Sequence, residues 1–342
     1  MDLGISVPEP VSATGTALPP LLAVRNLTIT PRRSNFPVVT DVGFTIAPGE
    51  RVGVVGESGC GKTVTGLAIL GLLPPTAMRV TGEIAFDGRN LLTQKETELR
   101  LIRGRRIAMI FQEPMTALDA VFTVGDQISE TLRAHFPLSR QAARGRAVAL
   151  LDSVGIPMPQ RRYDDYPHQL SGGMRQRAMI AIALACEPDL LVADEPTTAL
   201  DVTVQAQIID LLLERAAQSG SALLFITHDL GVVAEACTRL LTMYAGQIVE
   251  DASTGQALLH PRHPYTAGLL NSLPRLSPHK TRLPAIGGRV PPPDGMPFGC
   301  RFELRCAHAA QGCEQPQMLT IAQGRAARCH RQDELRLRGA AA

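Results

Sequence analysis

Residues 56–63 read Gly-Glu-Ser-Gly-Cys-Gly-Lys-Thr, the G-x-x-x-x-G-K-[ST] spacing of a phosphate-binding loop. Gly56, Gly59 and Gly61 let the backbone N–H groups of the loop, those of Ser58 and Cys60 among them, converge on phosphate oxygens. A helix opening directly behind the loop adds its positive end. Lys62 is placed to reach β- and γ-phosphates, and the Thr63 hydroxyl suits Mg²⁺. Four other polar groups stand where chemistry could be done. Gln112 follows the apolar run 107–111, and Ser171-Gly172-Gly173 opens an apolar helix pattern. Asp194-Glu195 follows Leu190-Leu-Val-Ala, and His228 follows Ala222-Leu-Leu-Phe-Ile-Thr. Ser171 is a good N-cap, and the two glycines behind it admit close approach of an anion. The paired carboxylates could divide between metal binding and general-base work.

These groups need elements to hold them. Arg51–Val55 is a β-branched run that suits a buried strand, and 64–73 is long enough for a buried helix. Strands are also expected over 22–30, 38–47 (closed by a Pro48-Gly49 turn), 82–88, 107–111, 190–195 and 222–228, with a hairpin over 240–250 turning at Ala245-Gly246. Each short apolar strand ends in one of the polar groups above. In parallel α/β sheets ligands sit at that strand edge. From about 113 to 186 the pattern is helical, without a strand run until Leu190. Phe36, in the 31–37 loop, could stack on an adenine ring or be a partly buried loop aromatic. The arginine-rich run 100–106 could be a solvated helix face or a phosphate-side rim.

The totals narrow the classes. The 342 residues suffice for a large core, and 45% hydrophobic content marks a globular chain. A net charge of +2 and only 4% aromatics with no Trp argue against a nucleic-acid partner. The longest apolar runs, such as 178–186, fall short of a membrane span, and no secretory leader is visible. A cytoplasmic protein with reduced cysteines is the expectation. Residues 1–20, rich in Pro, Ser, Thr and Ala, read as a flexible tail.

Phosphate loop, strand-end Gln, Ser-Gly-Gly helix start, strand-end Asp-Glu and strand-end His occur here in the order of the ATP-binding subunits of ABC transporters, which the chain resembles over roughly 22–250. The resemblance implies an α/β P-loop NTPase core of ABC type, with an antiparallel β subdomain, a helical subdomain and a small cysteine-bearing C-terminal extension. It divides the chain into a tail (1–20), a nucleotide-binding domain (21–250) and the extension (251–342). It implies ATP and Mg²⁺ as ligands, with Lys62, Thr63 and the loop backbone on the phosphates. Thr63, Gln112 and Asp194 would serve Mg²⁺. Glu195 resembles the general base, His228 the switch histidine, and Gln112 the glutamine that links the site to membrane subunits. Ser171, Gly172 and Gly173 would contact ATP held by a partner subunit, and Asp201 would lie at the dimer seam. Met174 stands where the general pattern has Gln.

Three stretches narrow the likeness to the dipeptide and oligopeptide permease group. They are Phe111-Gln-Glu-Pro-Met-Thr-Ala-Leu118, Tyr166-Pro-His-Gln-Leu-Ser-Gly-Gly173 and Ala193-Asp-Glu-Pro-Thr-Thr-Ala-Leu-Asp201. His263-Pro-Tyr-Thr-Ala-Gly-Leu-Leu270 adds a fourth. The group implies an ATPase peripheral at the cytoplasmic face of the inner membrane. Its partners would be a second, different ATPase subunit, two transmembrane permeases and an extracytoplasmic substrate-binding protein. Related nickel and glutathione importers share much of the pattern. A soluble ABC ATPase acting away from membranes is the remaining alternative, against which stand the single phosphate loop and the lack of heptads.

Of seven cysteines, Cys300, Cys306, Cys313 and Cys329 lie close together in sequence. Four thiols suit a [4Fe–4S] cluster, which the resemblance favours, or a Cys₄ zinc site, and free thiols are the third reading. Cys60, beside a helix N-terminus, is expected to favour the thiolate unless it is a passive small residue.

Overall fold

The computed structural model describes residues 19–198, 201–273, 285–322 and 324–340. The tail expectation therefore falls almost wholly outside the described residues.

Strands β1 (Leu22–Pro31), β2 (Val39–Ile46), β3 (Arg51–Val55), β4 (Met78–Phe86), β5 (Arg89–Asn90), β6 (Ile107–Ile110), β7 (Leu190–Asp194), β8 (Ala222–Thr227), β9 (Arg239–Tyr244), β10 (Gln247–Ser253), β11 (Thr320–Ala322) and β12 (Arg325–Ala327) form two sheets. The smaller, ordered β2-β1-β4-β5, is antiparallel. The larger is ordered β11-β12-β10-β9-β3-β8-β7-β6. Its stretch from β9 to β6 is parallel. Strands β3, β7 and β8 are apolar along almost their whole length because both faces are covered. Between β9 and β10, Ala245 (φ 47°) and Gly246 (φ 82°) make the left-handed pair that a tight hairpin requires.

The helices are α1 (Lys62–Ile69), α2 (Glu96–Ile102), α3 (Pro114–Ala117), α4 (Val124–His135), α5 (Arg140–Ser153), α6 (Pro159–Arg162), α7 (Gly172–Leu184), α8 (Val202–Ser219), α9 (Leu230–Ala236), α10 (Thr254–Leu259) and α11 (Pro264–Asn271). Polar caps set several starts. Thr123, Ser139, Ser171 and Asp201 accept from the backbone N–H three residues on. Helix α1 ends at Ile69, short of the run to Leu73, because Gly71 turns left-handed (φ 63°). The segment between β6 and β7 carries α3 to α7 and no strand.

Two apolar layers enclose the large sheet. One joins Leu22, Ile29, Phe44 and Ile84 of the small sheet to Ile69 of α1 and to Val52, Val192 and Leu224. The other joins Phe225 and Leu191 to Ile128, Leu151, Ile180, Leu212 and Val233 from the helices. A third cluster packs Tyr244 and Val249 against Tyr265 of α11 and Phe302. The chain beyond 300 also enters the large sheet: β12 pairs with β10, Glu250 opposite Ala327 and Asp251 opposite Ala326.

Candidate functional site

The phosphate loop leaves β3 at Val55 and enters α1 at Lys62. Three glycines shape it for different reasons. A Cβ at Gly56 would lie 2.1 Å from the Met243 carbonyl oxygen, so the loop passes too close to β9 for any side chain. Gly59 (φ 79°) and Gly61 (φ 101°) take left-handed conformations that turn successive N–H groups the same way. The Lys62 ammonium is buried and donates to the carbonyls of Gly56 (2.7 Å) and Glu57 (3.1 Å).

Three neighbouring strands deliver the remaining groups to the same edge. Thr63 Oγ1 donates to Asp194 Oδ1 at 3.2 Å. Asp194 is 1% exposed, and burial raises its carboxyl above the ordinary range against the pull of Thr63 and Lys62. Glu195 sits just past β7 with left-handed backbone (φ 45°), its N–H donating to Ile226 O at 2.8 Å. This turn points the side chain into a set of three partners. Glu195 Oε2 accepts from Gln112 Nε2 (3.1 Å) and Thr198 Oγ1 (2.9 Å), and Oε1 pairs with His228 Nδ1 (3.1 Å). Burial works against the Glu195 charge. The hydrogen bonds from His228 and Thr198, with Lys62 nearby, outweigh it and hold the carboxyl below its usual range.

Lys62, Thr63, Asp194, Glu195, Gln112 and His228 are thus brought together. Ser171, Gly172 and Gly173 are not tied to this group. Ser171 caps α7, accepting from Met174 N (3.3 Å), and is exposed with Gly172. Asp201 caps α8, accepting from Val204 N (2.9 Å), while Ala199 and Leu200 lie outside the described residues. Phe36 is 45% exposed in its loop. Thr198, missed in the sequence, lies three residues beyond Glu195 in the Asp-Glu-Pro-Thr-Thr run, and its hydroxyl spacing was the available signal. Gln176, buried in α7, donates to the Pro196 carbonyl and so ties that run to the Ser-Gly-Gly helix.

Two expectations are overturned. Among the described residues, no group of three or more His, Cys, Asp or Glu is arranged to hold a metal ion. Cys300, Cys306, Cys313 and Cys329 are therefore not placed as the expected iron–sulfur centre, a zinc site has no support either, and none of the four is in a disulfide. Burial pushes Cys300 up to about 12 and raises Cys306 and Cys329. Arginine contacts and aromatic packing hold this region instead. Cys60 is the second correction. It is 1% exposed, and burial raises its thiol above the ordinary value, with Lys62 offsetting only part of this. At Cys60 burial outweighs the neighbouring lysine.

No helix among the described residues is long and apolar enough to cross a membrane. Residues 39–198 match the ABC transporter family, and 249–313 match the oligopeptide/dipeptide transporter C-terminal region. The chain is 53% identical over 298 residues to the Probable peptide ABC transporter ATP-binding protein y4tR of Sinorhizobium fredii, covering 86% of this chain and 89% of that one. It is 48% identical to the dipeptide transport ATP-binding protein DppD of Escherichia coli, covering 86% and 91%. These relatives are named simply as ATP-binding proteins, which gives an iron–sulfur centre no support. Among solved structures, the ATP-binding cassette MJ0796, a post-hydrolysis dimer bound to ADP and phosphate, aligns with a TM-score of 0.62 at 28% identity. It covers 68% of this chain and 98% of its own.

Proposed function

The chain belongs to the ABC transporter family, in its peptide-importer branch, and we infer that it is the subunit that hydrolyses ATP to power import of dipeptides and oligopeptides. The observation that carries the catalytic reading is the convergence on Glu195. A carboxylate hydrogen-bonded to Gln112, Thr198 and His228 stands beside a lysine-bearing phosphate loop.

The site suits ATP with Mg²⁺. Thr63 and Asp194 present hard oxygen donors 3.2 Å apart at the mouth of the loop, the donor type Mg²⁺ prefers. Bound there, Mg²⁺ would neutralise charge on the phosphate oxygens. Lys62 and the loop N–H groups, with those of Ser58 and Cys60 among them, bind the phosphates. Glu195 accepts a proton from the attacking water, Gln112 and His228 fix its orientation, and Phe36 stacks on the adenine. Ser171, Gly172, Gly173 and Asp201, exposed or only half-buried and away from this cluster, complete the site of a partner subunit across a dimer seam. In this reading the nucleotide-binding unit spans 21–250, with its helical part over about 113–186, and 251–342 forms the extension.

The partner ATPase is a second, different subunit, and the pair acts at the cytoplasmic face of the inner membrane with two permeases and a substrate-binding protein. We assign the permease contact to the exposed Met115, Val121 and Phe122, close to Gln112 in sequence. Affinity purification from native membranes, with partners identified by mass spectrometry, tests the assembly. Two permeases and a distinct ATPase are expected; ribosomal or DNA-repair proteins without a permease would overturn it. ATP-driven uptake of labelled peptide by the purified complex in proteoliposomes, lost in Glu195→Gln, tests the function.

A further inference from the structure

The His263-Pro-Tyr stretch and the chain beyond 300 play no part in the chemistry just described, yet both touch the phosphate loop at one residue. Every polar group of Glu57 is engaged. Its N–H donates to the Tyr265 hydroxyl at 2.8 Å. Its carbonyl accepts from Lys62 Nζ at 3.1 Å. Its carboxylate takes both terminal nitrogens of Arg305, at 2.6 and 2.9 Å, in a bidentate pair. Arg305 is itself fixed. Its side chain is 4% exposed, Nε donates to the Gly287 carbonyl (2.8 Å), and the guanidinium lies 5.7 Å from the Tyr244 ring and 5.9 Å from that of Phe302. Tyr265 is fully buried against the same two rings.

We propose that Arg305 and Tyr265 are positioning residues for ATP binding, holding the phosphate loop in shape through Glu57. The inference rests on the reading of residues 56–63 as the ATP phosphate cradle. The geometry explains why a clamp is useful. The loop has three glycines, and glycine-rich backbone loses the most freedom when ordered. A planar guanidinium on a carboxylate fixes orientation as well as distance, which a lysine at the same place would not do. Glu57 is also the residue whose carbonyl shares the Lys62 ammonium, so a shift of its peptide plane moves the lysine. The clamp comes from 208 and 248 residues further along the chain, so the nucleotide site is built partly from the C-terminal segment.

A clamp on the cradle acts on phosphates alike in the ground state and the transition state. It should therefore appear in affinity and KM rather than in kcat. The test titrates the full-length chain with the fluorescent nucleotide mant-ATP and Mg²⁺, alongside steady-state ATPase assays of the assembled transporter. Arg305→Met is expected to weaken mant-ATP binding about five- to twentyfold, a range set by a bidentate charge-assisted pair. KM should rise in step and kcat stay within about twofold. Tyr265→Phe, which keeps the ring and loses only the hydroxyl, should weaken binding by a few fold. Glu57→Gln should match Arg305→Met, and the double variant should be no weaker than either alone. Arg305→Lys should recover only part of the loss. If Arg305→Met fails to fold, Glu57→Gln and Tyr265→Phe read the same quantity without disturbing the ring cluster.

Binding within twofold of wild type in both Glu57→Gln and Tyr265→Phe, or fully additive losses in the double variant, would overturn the clamp. A lowered melting temperature with unchanged affinity would show a purely structural pair and overturn it equally. Lys62→Ala separates this from the underlying reading: if that variant binds mant-ATP normally, the cradle assignment itself falls.

Discussion

At the scale of single residues, the site depends on one carboxylate being ionised and aimed. Glu195 reaches its partners only because its backbone turns left-handed just past β7, and its charge survives burial because donors surround it. Glu195→Gln keeps the shape and removes the proposed base, so ATP should still bind while hydrolysis falls by roughly 10²–10⁴-fold. Turnover near wild type in single-cycle assays would show that another group takes the proton. Cys60 gives a second prediction at this scale. With its thiol buried and its titration raised, iodoacetamide at neutral pH should label the native chain at Cys60 far more slowly than the urea-unfolded chain. Mass-spectrometric mapping that finds Cys60 labelled equally fast in both states would contradict the burial.

Among the elements, the start of α11 carries a titratable switch in stability. His263 caps the helix, its Nδ1 accepting from Tyr265 N at 3.1 Å, and it is buried. Burial and the nearby Arg328 charge push its pKa from 6.5 down to about 3. The unfolded chain therefore takes up a proton below 6.5 that the folded chain refuses until about 3. Stability from this group is intact above 6.5 and is lost as pH falls through that window, by at most about 1.4 kcal/mol per pH unit. Glu250, which accepts from Arg262 N and His263 N, has a raised carboxyl. Its contribution has the opposite sign, growing as pH falls from its raised value toward the ordinary one. His263→Asn keeps a capping acceptor and removes the titration, so urea melts between pH 6.5 and 4.5 should show a shallower acid loss than wild type. Equal slopes would mean that the histidine is solvated. The elements also show what the sequence could tell. Strand-end groups were legible because a buried parallel strand is a short apolar run that must finish in something polar at the ligand edge. Helix starts were legible through caps such as Ser171. The end of α1 was misjudged because Leu72 and Leu73 continue the apolar run past a left-handed glycine. The cysteine region misled for another reason: its four thiols do lie near enough to feel one another's charge, but nearness is not ligand geometry, and sequence spacing does not give that geometry. The Glu57 clamp had no local signal, since its partners lie more than 200 residues away.

Taken whole, the molecule ties its C-terminal segment to the core by more than a tether. The match to the ABC transporter family ends at 198, and the peptide-transporter C-terminal match runs from 249, so the pieces could fold apart. The physical contacts argue for one cooperative unit. Strand β12 extends the core sheet through β10. Phe302 closes the ring cluster with Tyr244 on β9 and Tyr265 on α11. Arg328, whose side chain is 6% exposed, donates to the carbonyls of Ile248 (3.0 Å) and Gln317 (3.0 Å) and to the Asp41 carboxylate (3.2 Å). Arg301 reaches both the Ala245 carbonyl and Thr40 Oγ1. Two largely buried cations thus bridge the segment to β2 and to the β9–β10 hairpin. Removing one end of such a bridge leaves buried acceptors unpaired, at a cost of about 3–5 kcal/mol for a fully buried pair and less here because Asp41 is partly solvated. Calorimetry of the full chain should give one unfolding transition, with calorimetric and van't Hoff enthalpies agreeing. Arg328→Met should lower the midpoint of that single transition. If Arg328→Met instead splits off a separate low-temperature step while the main midpoint stays fixed, the segment folds on its own. The sheet pairing at β12 would then be a docking contact and not part of the core.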